Sequence, residues 1–269
     1  LWPWCSANHM KNEIYGHFHP DERQFVDKAW EWVTNAGEYH ETKLTEFLDP
    51  RQGYILQSLV NRHPDVIVRW EGGSDDAERK RAMVAPDYRD LTGEDMELKV
   101  LAITSGEQKF LALEHGDYMG AILGLGIKRG KIGDIHVLED GCHVVVAEDI
   151  VDYLSMNLTG VHRINVSTEI LPLSGLRSSQ VKLETMDFTV ASLRLDGIAA
   201  DVTRLSRSKI LAPIKAGRVR VNWKVEEDPS CSLKDGDVVS IQGFGRFKVL
   251  EIGSLTKKGR YRILVGKFV

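Results

Sequence analysis

Ser206 to Asn222 is the stretch that most narrows what this chain can fold into. It reads Ser-Arg-Ser-Lys-Ile-Leu-Ala-Pro-Ile-Lys-Ala-Gly-Arg-Val-Arg-Val-Asn. Ser206 is an N-cap candidate, because its hydroxyl can accept an N–H group left orphaned in a first helical turn. Ile210, Leu211 and Ile214 recur at helical spacing and are expected to face a core. Pro213 removes one backbone donor and should bend or shorten the helix. Gly217 supplies a left-handed residue to end it. Arg218-Val219-Arg220-Val221 then alternates charge with apolar bulk, as a half-buried strand does. The expectation is a short helix turning into a strand, with Arg207, Lys209, Lys215, Arg218 and Arg220 at one surface.

This stretch resembles the S4 domain, a small RNA-binding module found in a ribosomal protein, tyrosyl-tRNA synthetases and pseudouridine synthases. Arg194-Leu195-Asp196 is similar to the module's opening, and Lys234-Asp235-Gly236-Asp237 before Val238-Val239-Ser240-Ile241 to its second turn and strand. Gly243-Phe244-Gly245-Arg246-Phe247 resembles its closing hairpin. The resemblance covers roughly residues 187 to 250 and implies an α+β module that grips the backbone of a folded RNA. Expected contacts are Arg194, Ser206, Arg207, Lys209, Lys215, Gly217, Arg218, Arg220, Asn222 and Arg246. The competing reading is a set of solvated charges on an ordinary α/β surface.

Charge distribution favours the RNA reading. The net charge of −4 over 269 residues conceals an asymmetry. From Asp187 onward there are 16 Lys and Arg against 9 Asp and Glu, a balance of +7, so the preceding residues carry −11. A basic end on an acidic body implies a polyanionic partner held at that end.

Before residue 187, two textures alternate. Pro20-Asp21-Glu22 suits a helix start. Phe25, Val26, Ala29, Trp30 and Val33 follow as a buried stripe ending near Asn35-Ala36-Gly37. Phe25, Trp30 and Trp32 could stack on RNA, but their spacing is that of one core-facing helix. A second short helix is expected after Thr42, carrying Leu44, Phe47 and Leu48, and a third through Tyr54, Leu56, Leu59 and Val60 beyond the break at Asp49-Pro50. From Val66 the pattern turns β-branched. Strands are expected at 66–70, 98–103, 135–138, 143–147 and 163–166, the third and fourth joined by the hairpin signal Glu139-Asp140-Gly141. Helices are expected at Asp75–Met83, Tyr118–Leu125 and Glu148–Met156. That order predicts helices on a mainly antiparallel sheet.

The segment from His115-Gly116-Asp117-Tyr118 to Lys131-Ile132-Gly133-Asp134-Ile135 is a second unusual run. Together with the S4-like end it resembles the YlmH family, bacterial S4-domain proteins encoded near division genes. That resemblance spans nearly all of residues 10–269. It implies an α+β chain: an N-terminal helical unit at 10–63, a central α/β sandwich with an RNA-recognition-like layout at 64–170, a linker at 171–186, and an S4 domain of the αL type with a strand extension at 187–269. It also implies structured rRNA or tRNA and the large ribosomal subunit as partners, with division proteins as the older association. Lys128, Arg129 and Lys131 are expected either to approach phosphate in a loop opened by Gly126, Gly130 and Gly133, or simply to line a tight connection.

Other classes find little support. Gly124-Leu125-Gly126 lacks Rossmann spacing and no P-loop run exists. Leu193-Arg194-Leu195-Asp196 is superficially like a pseudouridine synthase's catalytic motif, but no catalytic domain follows it. The ATP signatures of a synthetase are absent. Cys142 and Cys231 form no metal or redox pair and suit a reducing cytoplasm. His17 with His19 lacks a third ligand nearby. His115 beside Asp117, and the pair His136 and His143, read more simply as structural. We therefore expect no catalytic residue, metal, cofactor or membrane insertion. Leu1–His9 reads as sequence added by cloning, with Met10 as a natural start.

Overall fold

The computed structural model describes residues 15–106, 113–179 and 181–269. The expectations for Leu1–His9 and for a start at Met10 lie outside them. Two compact units emerge, Pro20–Ser179 and Gln180–Val269, the second also taking in residues 15–19. Both mix helices with antiparallel sheet, so the chain is α+β. No helix among the described residues is long and apolar enough to cross a membrane.

In the first unit a 3-10 turn at Pro20–Glu22 leads into α1, Arg23–Tyr39, which buries Val26, Ala29, Val33 and Ala36. Phe25 and Trp32 are half-buried and meet edge-on, their rings 5.9 Å apart. The helix runs past the stop expected at Gly37 and ends where His40 turns left-handed. Gly37 serves packing instead, since a Cβ there would overlap the His63 ring.

The helix expected after Thr42 is a short strand, β1 at Lys43–Leu44. Thr45 holds the chain extended, its N–H donating to the Ala82 carbonyl and its hydroxyl accepting from the Ala82 N–H. Asp49-Pro50 starts a helix as well as breaking a run. The Asp49 carboxylate accepts the Gln52 N–H at 2.8 Å and the Gln52 side chain accepts the Asp49 N–H at 3.0 Å, closing a capping box on α2, Pro50–Val60.

β2, Val66–Glu71, and β3, Arg81–Pro86, complete a three-stranded sheet in the order β1-β3-β2. β3 replaces the end of the exposed helix expected at Asp75–Met83, and every residue in it is buried. Arg81 concealed this strand. Its guanidinium points inward and donates to the carbonyls of Thr45, Met96 and Glu97. The boundary expected at residue 63 falls inside this unit, because β1 pairs with β3.

The rest of the unit runs β4 (Leu98–Thr104), α3 (His115–Gly124), β5 (Ile132–Leu138), β6 (Gly141–Ala147) and α4 (Glu148–Asn157). A small hairpin of β7 (Gly160–Val161) and β8 (Ile164–Asn165) follows, then β9 (Ser167–Leu171). The strand expected at 163–166 is thus displaced: left-handed His162 turns the hairpin, and pairing with β4 begins at Ser167. The sheet order β5-β6-β4-β9, all antiparallel, is the split β-α-β-β-α-β arrangement. On one face Leu101, Ile103, Val144 and Val146 pack with Tyr118 and Ile122 of α3 and Val151 and Leu154 of α4. On the other, Leu98, Val145 and Ala147 pack with Phe47, Met83, Ala85 and Leu91.

The second unit opens with β10, Leu183–Val190, a full strand beginning inside the stretch expected as a linker. Next come α5 (Leu195–Thr203), α6 (Arg207–Lys215), β11 (Val219–Val221), β12 (Lys224–Val225), β13 (Val238–Ile241), β14 (Gly245–Leu255) and β15 (Tyr261–Phe268). Six strands pair in the order β10-β15-β14-β13-β11-β12. Leu195, Ile198, Ile210 and Ile214 of the helices bury against Val219, Val239, Phe247, Val249 and Val265.

Two glycines separate packing from propensity. A Cβ at Gly133 would lie 2.6 Å from the Phe47 ring, whereas one at Gly120, inside α3, meets nothing within 4 Å. Gly133→Ala should destabilise the fold by about 1–3 kcal/mol through overpacking. Gly120→Ala should stabilise it by about 1 kcal/mol through helix propensity. Urea unfolding of the two variants measures both, and equal shifts would refute the assignment.

Candidate nucleic-acid interface

The site is built around a carboxylate that the residue pattern alone did not mark as a contact. Asp196 lies in the first turn of α5 with its side chain 7% exposed. It accepts hydrogen bonds from Arg194 Nε at 3.1 Å, Arg194 Nη2 at 2.9 Å and its neighbour's N–H, that of Gly197, at 2.7 Å. Arg207 Nη2 stands 3.8 Å from the same carboxylate. Gly197 leaves room for this approach, since a Cβ there would lie 2.8 Å from Arg207 Nη2. Hydrogen bonding from Arg194 holds the Asp196 carboxyl below the usual range, against the opposing effect of burial. One buried anion thus draws two guanidinium groups together, and they remain 44% and 59% exposed. Those groups keep solvent-facing N–H donors in the fixed planar fork that suits phosphate.

Arg207 is also the first residue of α6. Ser206 caps that helix, accepting the Lys209 N–H at 3.4 Å, so its hydroxyl has an internal partner. Lys209 and Lys215 are exposed, the latter in the last turn. Pro213 is buried without interrupting the helix, and its carbonyl accepts the Arg218 N–H at 2.9 Å. Gly217 takes φ +67 and turns the chain into β11 as expected from the sequence.

Beyond that turn the expected single surface divides. Arg220 pairs across the sheet with Ser240, and Ser240 with Arg246, so the three share one face. Val219, Val239 and Phe247 alternate with them and bury under the helices. Arg220 and Arg246 therefore project from the face opposite α5 and α6. Arg218, two residues before Arg220 and exposed, takes the same side. Asn222 has an internal role. Its amide donates to Asp237 at 2.8 Å and accepts the Val238 N–H at 2.9 Å, fixing a turn where its own φ is +50.

The loop expected as a second phosphate contact is mostly engaged within the fold. Arg129 turns inward and donates to the carbonyls of Ile132 and Gly133 at 2.6 and 3.3 Å. Burial, reinforced by nearby Arg79, pushes its pKa down to about 10. Lys131 pairs with Asp149 at 2.6 Å. Gly130 and Gly133 give room to Glu46 and Phe47 rather than to an anion. Lys128 alone of the three basic residues is exposed. The tight-connection reading describes this loop.

The β4-β6 face, where RNA-recognition folds stack bases on aromatic side chains, has no Phe, Tyr or Trp on either strand and lies buried. On the same side of the sheet His136 of β5 sits directly across from His143 of β6. Their Nδ1 atoms accept the backbone N–H groups of Ser179 and Arg177 at 3.3 and 3.1 Å. Burial lowers both pKa values, which favours the neutral acceptor form. Asp117 accepts the Glu114 N–H at 2.8 Å in a capping box of α3 beside His115. His19 lies 3.9 Å from Glu227, and His17 is exposed. Among the described residues no group of three or more potential metal ligands occurs. Cys142 and Cys231 are free thiols; burial raises both pKa values, that of Cys231 to about 11.

Comparison with known proteins adds three findings. A family model described as "Putative RNA-binding domain in YlmH" matches residues 92–175. The "Ribosome-associated protein quality control protein P2" of Bacillus subtilis (strain 168) is 42% identical over 252 residues, covering 94% of this chain and 97% of that protein. Among solved structures, the "Cell division protein ylmH from Streptococcus pneumoniae" is 28% identical, with a TM-score of 0.50 over 59% of this chain and 95% of its own.

The Asp196 cluster has a measurable signature. Its folded-state pKa lies below the ordinary aspartate value of about 3.9. The interaction therefore contributes stability above that value and loses it as pH falls through the lowered pKa. Asp196→Asn should be about 1–2 kcal/mol less stable than the parent at neutral pH. The difference should shrink in acid, and urea midpoints at about pH 7 and about pH 2 test this. A gap independent of pH would refute it.

Proposed function

The chain belongs to the YlmH family, and we propose that it binds structured rRNA or tRNA without catalysing a reaction, on the large ribosomal subunit, in cytoplasmic ribosome-associated quality control. The observation that carries this reading is the pair Arg194 and Arg207, set beside a capped helix N-terminus by one buried carboxylate. Pre-set guanidinium forks at a helix start favour phosphate twice over, through bidentate geometry and through the helix dipole. The similarity to a ribosome-associated protein over almost the whole chain points to the ribosome as the source of that phosphate. The resemblance to the S4 module supports assigning the contact to the C-terminal unit.

In this reading Arg194, Arg207 and Lys209 meet one stretch of RNA backbone at the helix start. Lys215 extends the contact along the helix, while Arg218, Arg220 and Arg246 offer a separate contact on the opposite sheet face. Recognition rests on shape and phosphate spacing, because the major groove of A-form RNA is too narrow for side chains to read. A second reading, protein interaction in cell division, draws on the solved relative, which is named as a cell division protein.

Sedimentation of the purified chain with large ribosomal subunits separates the two, since RNase treatment should release the chain only in the first. Binding of rRNA should fall with salt at a log–log slope of roughly −3 to −4, as for about four neutralised phosphates. The double variant Arg207→Ala with Lys209→Ala should weaken binding and bring the slope about 2 closer to zero. An unchanged slope would exclude the helix-start surface.

A further inference from the structure

At one end of the C-terminal sheet lies a pocket of about 280 Å³ that the phosphate contacts do not use. It exists because α5 stops short. Arg204 turns left-handed at φ 56 and carries the chain away, leaving Met186 and Val202 as an apolar floor. The turn after β13 forms the opposite wall. Gly243 and Gly245, at φ +87 and +95, hold Phe244 between them, and that residue is 46% exposed. Neither glycine has a neighbour that a Cβ would strike, so their conformation rather than packing is what the turn requires.

Charge identifies the kind of occupant. Arg204 and Lys267 border the pocket, while Glu184 is its sole carboxylate among the described residues and lies directly across the sheet from Lys267. The Arg246 guanidinium stacks over the Phe268 ring at 4.4 Å on the opposite face of the sheet and takes no part in the pocket. Cations outnumber the acid around an apolar floor and an exposed aromatic ring. The volume is slightly below the about 300–1,000 Å³ usual for drug-sized ligands, which suits one planar ring system rather than a whole cofactor.

We propose that this pocket holds a single unpaired nucleotide of the bound RNA. Its base stacks on Phe244 above Met186 and Val202, and its flanking phosphates meet Arg204 and Lys267. The inference rests on the RNA-binding reading above and adds to it a preference for RNA with an unpaired base. Base–aromatic stacking tolerates any sequence because every base has a π-face, so the pocket selects for an unpaired residue and not for a particular one.

The test uses the full chain and two RNA hairpins of one stem sequence, one with a single bulged 2-aminopurine and one with that residue paired. The bulged RNA should bind about ten-fold more tightly, with 2-aminopurine fluorescence quenched on binding. Phe244→Ala should abolish the preference and the quenching while leaving affinity for the paired stem unchanged. Phe244→Tyr should keep both. Equal binding of the two hairpins by the parent chain, or a preference that survives Phe244→Ala, overturns the pocket assignment and leaves the phosphate contacts standing. Equal loss of affinity for both hairpins in Phe244→Ala also overturns it. Failure of the parent chain to bind either hairpin overturns the pocket together with the RNA-binding reading.

Discussion

Every residue of β6, Gly141–Ala147, is buried, and the architecture of the first unit follows from that constraint. An antiparallel sheet commonly packs one face on a core and leaves the other to water. Here α3 and α4 cover one face, while Phe47, Met83, Ala85 and Leu91 close the other with Leu173 and Leu176 against them. A sheet buried on both sides cannot offer a stacking platform, whatever its strand order. The topology of an RNA-recognition fold is present without the exposed aromatic face that gives such folds their usual chemistry. Even the polar residues on that face serve the fold: His136 and His143 act as acceptors for a passing backbone segment.

Arginine shows how burial decides the role of one residue type. Arg79, Arg81 and Arg129 lie inside the first unit and donate to backbone carbonyls, tying the loops around β3 and β5 to each other. Burial depresses the pKa of all three, and those carbonyls supply the compensating hydrogen bonds that a buried charge requires. Arg194 and Arg207 are the reverse case, in which the anion is buried and the cations stay in water. Only the second arrangement leaves donors available to a ligand. Counting basic residues along a sequence cannot separate the two.

Where apolar spacing was clean, the sequence was readable. The stripe on α1, the hairpin of β5 and β6, and the passage from α6 through Gly217 into β11 all have a periodicity that matches their burial. β3 was hidden because an inward arginine looks like a surface residue. β9 was hidden because Ser167 and Glu169 lie exposed at the sheet's edge and break the apolar alternation. β1 depends on hydrogen bonds from Thr45 to a strand nearly forty residues away, and no local pattern encodes that. The division of the cationic surface was legible in principle. Alternation in Arg218-Val219-Arg220-Val221 already requires the arginines to point away from whatever covers the valines, and the covering element is the helix just before them. Asp196 also left a signal, an acid two residues after one arginine and eleven residues before another.

The two units divide the electrostatics of RNA binding unequally. Residues 92–175, matched by the RNA-binding family model, hold six Lys and Arg against thirteen Asp and Glu, and of the basic loop at 128–131 Arg129 and Lys131 are engaged internally. A phosphate backbone approaching this stretch displaces few counterions and meets more carboxylates than ammonium groups, so it gains little of the salt-dependent energy that dominates nucleic-acid affinity. Shape, backbone N–H groups and ribose hydroxyls are what such a surface has to offer. From Asp187 onward the chain carries a surplus of seven positive charges, the kind of surface from which that term arises. Under the proposed function, affinity and fit would then come from different parts of one chain: the basic stretch would attract the polyanion, while a backbone meeting residues 92–175 would have to keep its phosphates clear of the carboxylates.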